Sequence, residues 1–369
     1  MSHSAASSSG AAEVSMPDEI RQFSAAACLI LKEHKCADIC KGQNVVEVPM
    51  EVDLLSAFNL LIDNKVRSAP VRSADGNYIG ILDVRELIKF AVYLDDERRE
   101  QQHLHSHHDD TKHIEKLIAA ARWPDEHTVT VEHLARMHPF RPVSEKTNLL
   151  EVAQLLSRGA HRVPVINSAT GRVTRVISQS VLLKFVMSKA PVSLLNLPVK
   201  AVFNAHHMSR RKKSVLVSAP VFACGERAPA IDLFRMCAQT DLSGMAVVDP
   251  QGKLVGAMSA RDLKLWLRRH ESLYTPVLDF LYAHSAYICA MDVCQSVRSA
   301  RVRQSDADED PAAPIRAPVI SVRCSDSIRK VVDVLVRTGM HRVYVTQDMT
   351  PLGVIAISDC LRMIHSCAS

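Results

Sequence analysis

Twice in this chain a glycine is followed, two residues on, by a histidine–arginine pair and an apolar run: GAHRVPVI at Gly159–Ile166 and GMHRVYV at Gly339–Val345. His161–Arg162 and His341–Arg342 suit one chemical task, the holding of phosphate. A guanidinium forks onto two phosphate oxygens, and an imidazole donates to another. Arg67, in VRSAPV (Val66–Val71), offers a further fork, and the matching place in SGMAVV (Ser243–Val248) carries Ser243 and Gly244. Three arginines and two histidines brought together repel one another unless an anion sits among them, so their convergence would argue for a bound polyphosphate. The alternative is that each basic side chain pairs with a local surface acid, worth at most about 1 kcal/mol.

A second set of residues recurs at a fixed address. Four segments align: GILDVRELIKF (Gly80–Phe90), RVISQSVLLKF (Arg175–Phe185), GAMSARDLKLW (Gly256–Trp266) and GVIAISDCLRM (Gly353–Met363). Six positions in from the start of each stand Glu86, Val181, Asp262 and Asp359. An acid at the start of a helix is stabilised by the helix N-terminus. Its two oxygens also accept from two adjacent hydroxyls, which is what a ribose diol presents. Ser358 adds a hydroxyl beside Asp359. Glu86 is one methylene longer, and Val181 accepts no hydrogen bond, so its site is expected to stand empty. Arg261 is placed to pair locally with Asp262. As plain helix N-terminal residues these acids would contribute about 0.3–1 kcal/mol each; their recurrence at one address favours a ligand.

What positions both sets is a repeat. Ile328, Val331, Val332 and Leu335 mark one face of a helix ahead of the second His-Arg pair, and Leu149, Val152, Ala153 and Leu156 do so ahead of the first. Leu54, Leu55, Phe58, Leu61 and Ile62 precede VRSAPV, and Ala230, Leu233, Phe234 and Cys237 precede SGMAVV. Each strand then meets a turn rich in Asp, Gly or Pro, a second strand and a second helix. The unit is helix–strand–turn–strand–helix, with a lead-in strand expected in NVVEVPM (Asn44–Met50) and APVISVR (Ala317–Arg323). A unit of about 55–60 residues buries too little surface to stand alone, so two pairs are expected, over 41–190 and 214–369, each sharing a core through its sheets and helices. The divisions are a flexible tail and lead-in over 1–40 and repeats over 41–95, 128–190, 214–270 and 316–369. Between them lie a His-rich insertion and helix over 96–127, a basic linker over 191–213, and a helix with a mobile charged loop over 271–315. The short apolar strands offer a slot and backbone edges for a purine.

Here the pattern resembles a known family. The unit is similar to the cystathionine-β-synthase (CBS) domain, and its tandem pairs resemble Bateman modules. Four copies in one chain, with HRVPVI and HRVYV, resemble the gamma regulatory subunits of AMP-activated (Snf1-type) protein kinases over roughly residues 41–367. The resemblance implies an α+β fold of four CBS domains in two tandem pairs, packed as a pseudo-fourfold disc. It implies a non-catalytic regulator that binds AMP, ADP or ATP in its clefts and sets a Ser/Thr kinase complex by energy state. Asp262, Asp359 and Glu86 would bind ribose. Arg67, His161, Arg162, Ser243, His341, Arg342 and Ser358 would bind phosphate, with Lys184 matching a phosphate-side lysine of the family. The family pattern has lysines where Ser180 and Ala260 stand. The implied partners are a catalytic alpha and a scaffolding beta subunit; the ligands are regulatory nucleotides, not cofactors. Two alternatives stay open: a CBS-tetrad scaffold without nucleotide control, and a CBS regulator binding another adenosyl ligand such as S-adenosylmethionine or NADH.

Bulk properties agree with a globular, non-catalytic chain. Of 369 residues, 47% are hydrophobic and 23% charged, and the net charge of +5 is too small to argue for nucleic acid. Aromatics at 5% do not suggest base-stacking platforms. No phosphate-binding P-loop, dinucleotide fingerprint, zinc-protease motif or nucleophile elbow is present. The ten cysteines form no C-x-x-C pair, which suits a reducing compartment. The small polar N-terminus reads as a tail and not a signal peptide, and no apolar run is long enough to span a bilayer. The expected location is cytoplasmic, with Arg210–Lys213 open as a nuclear signal. The histidines of HLHSHHDDTKH (His103–His113) read as a solvated loop, with no metal expected, over the zinc-binding alternative of His103 and His107.

Overall fold

The computed structural model describes residues 17–39, 42, 44–102, 129–202, 220–263, 266–267, 272–290 and 319–365. The His-rich stretch, the basic run, the charged loop before Pro318 and the N-terminal tail lie outside these residues.

A lead-in helix α1 (Asp18–Glu33) precedes the first unit: β1 (Val48–Pro49), α2 (Leu54–Asp63), β2 (Ser68–Arg72), β3 (Tyr78–Asp83) and α3 (Glu86–Gln102). A short helix α4 (Val131–Arg136) leads to the second: β4 (Val143–Ser144), α5 (Leu149–Ser157), β5 (Arg162–Ile166), β6 (Val173–Ser178) and α6 (Gln179–Lys189). The third has β7 (Ala223–Gly225), α7 (Ala230–Thr240), β8 (Gly244–Val248) and β9 (Leu254–Ser259), with helical residues from Leu263. Helix α8 (Val277–Ala290) precedes the fourth: β10 (Ser321–Arg323), α9 (Ile328–Thr338), β11 (Arg342–Gln347), β12 (Thr350–Ala356) and α10 (Ile357–His365).

Local chemistry explains the repeat. The first helix begins on a capping side chain in three units: Asp53 Oδ1 accepts from Ser56 N, Asn148 Oδ1 from Glu151 N, and Ser327 Oγ from Lys330 N. Each cap is worth about 1 kcal/mol; the third unit has Pro229 there instead. The helix faces read from the sequence are buried, except for half-buried Leu55. Each sheet has three strands, the central one parallel to the short lead-in strand and antiparallel to the next. The lead-in strands are shorter than the sequence suggested. β1 pairs only with Val71 and Arg72, and β4 only with Val165 and Ile166. The leading residues of each central strand therefore extend beyond their parallel neighbour.

The core is divided differently from the expectation that each tandem pair shares its helices and sheets. One core joins units one and three, through α3 against α7; Phe90, Phe234 and Phe280 lie in it. The other joins units two and four with α1, through α5 against α10 and α6 against α9. Within a tandem pair it is the sheets that meet. Tyr78 stacks on Phe140 at 4.6 Å and its hydroxyl accepts from Val173 N, while Ala246, Leu254 and Tyr344 join the sheets of units three and four. The physical reason is that each helix pair has one apolar stripe, already used across the pairs, and each sheet has one face left for its tandem neighbour. The result is a closed ring in the order one, two, four, three, with sheet and helix interfaces alternating. Asp95 locks units one and three, accepting from Arg99, Arg235 and Tyr274.

Candidate functional site

The middle of the ring is built at four equivalent addresses. Three residues before each central strand the backbone is left-handed: Lys65 (φ 55°), Gly159 (φ 108°), Asp241 (φ 53°) and Gly339 (φ 63°). This accounts for the glycine of the repeated motif, since only glycine adopts such angles without steric cost. The turn presents the Gly339 carbonyl to the centre, where it accepts from Arg67 Nη2 at 2.9 Å and Arg261 Nη2 at 3.2 Å. Arg261, which the sequence placed to pair locally with Asp262, instead reaches its guanidinium into the fourth unit.

Next come Arg67, His161, Ser243 and His341, each carbonyl accepting from the first residue after the second strand: Val84, Gln179, Ala260 and Ile357. The following position, fixed by strand register, holds Ser68, Arg162, Gly244 and Arg342 opposite Asp83, Ser178, Ser259 and Ala356. Two residues further on stand Arg85, Ser180, Arg261 and Ser358. At this address the odd-numbered units carry arginine and the even-numbered units serine, while Ala260 stands one position earlier. The aligned segments contain that alternation, but a search for one residue type at every copy passes over it.

These cations meet. Arg85 Nη1 donates to His161 Nε2 at 2.7 Å, which makes that ring nitrogen an acceptor. Arg162 Nη1 pairs with Asp83 Oδ2 at 3.2 Å, and Arg85 donates to Asp83 Oδ1 from its backbone N at 2.9 Å and its Nε at 3.3 Å. Arg342 donates to the Gly244 carbonyl and to Ser243 Oγ. Burial and the surrounding Arg162, Arg261 and Arg342 lower the His341 pKa to about 3. Burial and Arg85 lower that of His161 to about 4, with Asp83 opposing. Burial pushes the Asp83 carboxyl up, but Arg162 and Arg85 outweigh it and hold it below the ordinary range. Both rings are therefore neutral near pH 7, in a setting crowded with guanidinium charge.

The acids lie at the helix starts. Asp262 Oδ2 accepts from Ser259 N and Asp359 Oδ2 from Ala356 N, both at 2.7 Å, and Arg362 pairs with the other Asp359 oxygen. Burial raises the Asp359 pKa, against the pull of Ala356 N–H and Arg362. Glu86 is buried: His138 Nε2 donates to Oε1 at 2.7 Å, while Oε2 has no hydrogen-bond partner and Lys89 Nζ stands 3.5 Å from it. Val181 packs against the apolar core at the fourth such address. Ser358 is half-buried beside Asp359, and Lys184 is exposed on α6. A cleft of about 520 Å³ opens where units one, two and three meet, lined among others by Ser68, Asp83, Glu86, His138, His161 and Ser243. That volume falls in the range of small-ligand sites. Ser68 Oγ is buried there without a hydrogen-bond partner. Sequence reading missed Asp83, Arg85, His138 and Ser68 as members of this site.

Among the described residues no helix is long and apolar enough to cross a membrane. A family model described as the CBS domain matches residues 37–93, 131–188, 213–269 and 313–366. The chain is 24% identical to Protein SDS23 of Kluyveromyces lactis over 265 residues, 64% of this chain and 46% of that protein. The chain spans about half the length of the first curated relatives it matches. It is 23% identical to the 5'-AMP-activated protein kinase subunit gamma of Saccharomyces cerevisiae over 317 residues, 84% of this chain and 82% of the relative. Among solved structures, MJ1225 of Methanocaldococcus jannaschii, described as an archaeal homolog of gamma-AMPK, superposes with a TM-score of 0.59. That match has 15% identity and covers 89% of this chain and 99% of that one, a likeness of fold. Four matched repeats, which fill more than half of the sequence and coincide with four copies of one strand–helix unit, show that the chain belongs to the CBS-domain family.

Proposed function

We propose that this protein is a non-catalytic regulatory subunit that binds AMP, ADP or ATP and biases a partner protein kinase, in a cytoplasmic assembly with catalytic alpha and scaffolding beta subunits. The observation that carries this reading is the convergence of Arg67, Arg162, Arg261, His341 and Arg342 from all four units. The half-buried guanidinium groups of Arg67, Arg261 and Arg342 face neutral carbonyls and a hydroxyl; they are poorly compensated there, and a polyphosphate supplies what they lack. Asp262 and Asp359 would take ribose hydroxyls. Similarity to the yeast kinase gamma subunit supports the choice of partner.

Regulation requires a ligand that binds two states of the complex unequally. AMP and ATP differ by two phosphates, so a cation cluster that reads phosphate number supplies that inequality. Isothermal titration of the full chain with AMP, ADP and ATP tests the proposal. Binding to wild type, lost in Arg342→Ala and Asp359→Ala, is the expected result; no binding to wild type, or unchanged titrations in both variants, overturns it. Co-purification of a tagged copy tests the partner, with a kinase catalytic subunit expected.

A second reading is a CBS-tetrad scaffold without nucleotide control. It is favoured by the first unit, where a ribose would have to displace His138 from Glu86. Wild-type protein that captures the kinase but binds no adenylate would select it.

A further inference from the structure

We infer that Asp83 is a built-in counter-anion: it stands where a phosphate would stand between Arg162 and Arg85, and it makes the first pair of repeats resist the polyanion that the second pair accepts. The inference draws on the adenylate reading for its biological ligand, but its physical content concerns any polyphosphate.

The four copies of this address carry Asp83, Ser178, Ser259 and Ala356, so the first alone is charged. Asp83 is 6% exposed and lines the cleft. Both of its oxygens are used, Oδ1 by the backbone N and Nε of Arg85 and Oδ2 by Arg162 Nη1. Three donors from two arginines around one carboxylate is the arrangement these groups would offer a phosphate oxygen pair. The counterpart of Arg162 in the other pair, Arg342, is held by Gly244 carbonyl and Ser243 hydroxyl, both neutral.

The consequence follows from charge and anchorage. Asp83 ends β3, and the backbone N–H of Arg85 pins its carboxylate, so the group has little room to swing away. A phosphate entering between Arg162 and Arg85 must break those pairs or sit beside a buried negative charge, and like charges at one buried site strongly disfavour joint ionisation. Each added phosphate deepens the conflict. Asp83 therefore lowers polyphosphate affinity and steers the charged end of a ligand toward Arg342, His341 and Arg67.

The test compares full-length wild type with Asp83→Asn and Asp83→Ser, the latter placing in the first unit what the third has at Ser259. Inorganic tripolyphosphate is the probe, with ATP and AMP alongside, read by calorimetry and by melting temperature. In anion-free buffer both variants should melt lower than wild type, because Arg162 and Arg85 lose their carboxylate. Tripolyphosphate should restore the loss and bind the variants about tenfold or more tighter than wild type, while Asp83→Glu should keep the weak affinity. Equal or weaker tripolyphosphate binding in both variants overturns the inference. So does a melting loss that polyanion fails to recover, or failure of both variants to fold in its presence. Wild type indifferent to AMP and ATP, with tripolyphosphate binding gained in Asp83→Ser, removes the adenylate reading and retains this one.

Discussion

The two tandem pairs are alike in backbone and unlike in electrostatics. Both place an arginine after the second strand of the odd unit, Arg85 and Arg261, and a His-Arg step at the strand of the even unit. Both lay that step in the same register, Arg162 opposite Ser178 and Arg342 opposite Ala356. In the first pair the cations are answered from within the protein, by Asp83, and Glu86 is answered by His138. In the second pair Arg342 faces neutral acceptors. Repetition has copied the positions of the positive groups but not their neutralisation. A ring of four similar units thus becomes a site in which a carboxylate holds the central arginine on one flank and neutral acceptors hold it on the other.

Truncating the two equivalent arginines should separate these flanks most widely. Arg162→Ala leaves Asp83 buried without its cross-unit partner, the kind of change that costs about 3–5 kcal/mol. Chemical denaturation should show that loss, with Arg85 moderating it toward the lower value. Arg342→Ala leaves only neutral groups unpaired and should cost roughly 1–2 kcal/mol. For polyphosphate the order reverses: Arg342→Ala should weaken binding by about 10–100-fold, the worth of one or two charge-assisted hydrogen bonds. Equal stability losses in the two variants would break the comparison.

The pH response sharpens it on the histidines. His161 faces Arg85, Asp83, Arg162 and His138; His341 faces Arg162, Arg261, His161 and Arg342. Both folded pKa values lie below the ordinary 6.5, at about 4 and about 3. The unfolded chain therefore takes up protons first. The stability contributed by the neutral rings is complete above about pH 6.5 and is lost as pH falls toward those lower values. Melting temperature should fall between pH 7 and pH 5, less steeply in His161→Gln and in His341→Gln. Tripolyphosphate should flatten the wild-type curve, because a bound anion favours the protonated rings and binding then takes up protons. A wild-type curve that tripolyphosphate leaves unchanged would show that the rings do not face the anion.

These contrasts differ in how far the sequence discloses them. The repeated units, their helix faces and the addresses of the His-Arg steps and the acids are legible because each rests on local period and spacing. The pairing of cores is not. Leu149 and Leu335 each announce a buried helix face, but nothing local says that α5 meets the fourth unit and not the first. Asp83 was passed over because its meaning depends on Arg162, which arrives from another unit. A search for sameness at aligned positions also discards the one copy that differs. His138 escaped for the same reason, lying in the lead-in to the second unit's first strand and acquiring its role only by reaching Glu86 of the first unit.

The smallest effect sits at the left-handed residue before each strand, where the even units carry Gly159 and Gly339 and the odd units carry Lys65 and Asp241. A side chain at Gly159 or Gly339 would meet no atom within 4 Å, so conformation alone decides the cost. Gly339 has φ 63°, inside the left-handed well, and Gly339→Ala should cost about 1 kcal/mol. Gly159 has φ 108°, outside that well, and Gly159→Ala should cost more, about 1–3 kcal/mol. Conversely Lys65→Gly relieves a strained non-glycine at φ 55° but loosens the unfolded chain, so a gain of no more than about 1 kcal/mol is expected. Thermal melts of the three variants check the order. The ligand titration carries the sharper contrast: Gly339→Ala should also disturb polyphosphate binding, because Arg67 and Arg261 are both aligned by the Gly339 carbonyl. Lys65→Gly should leave binding unchanged, which would separate the strain of the turn from its use in holding the centre together.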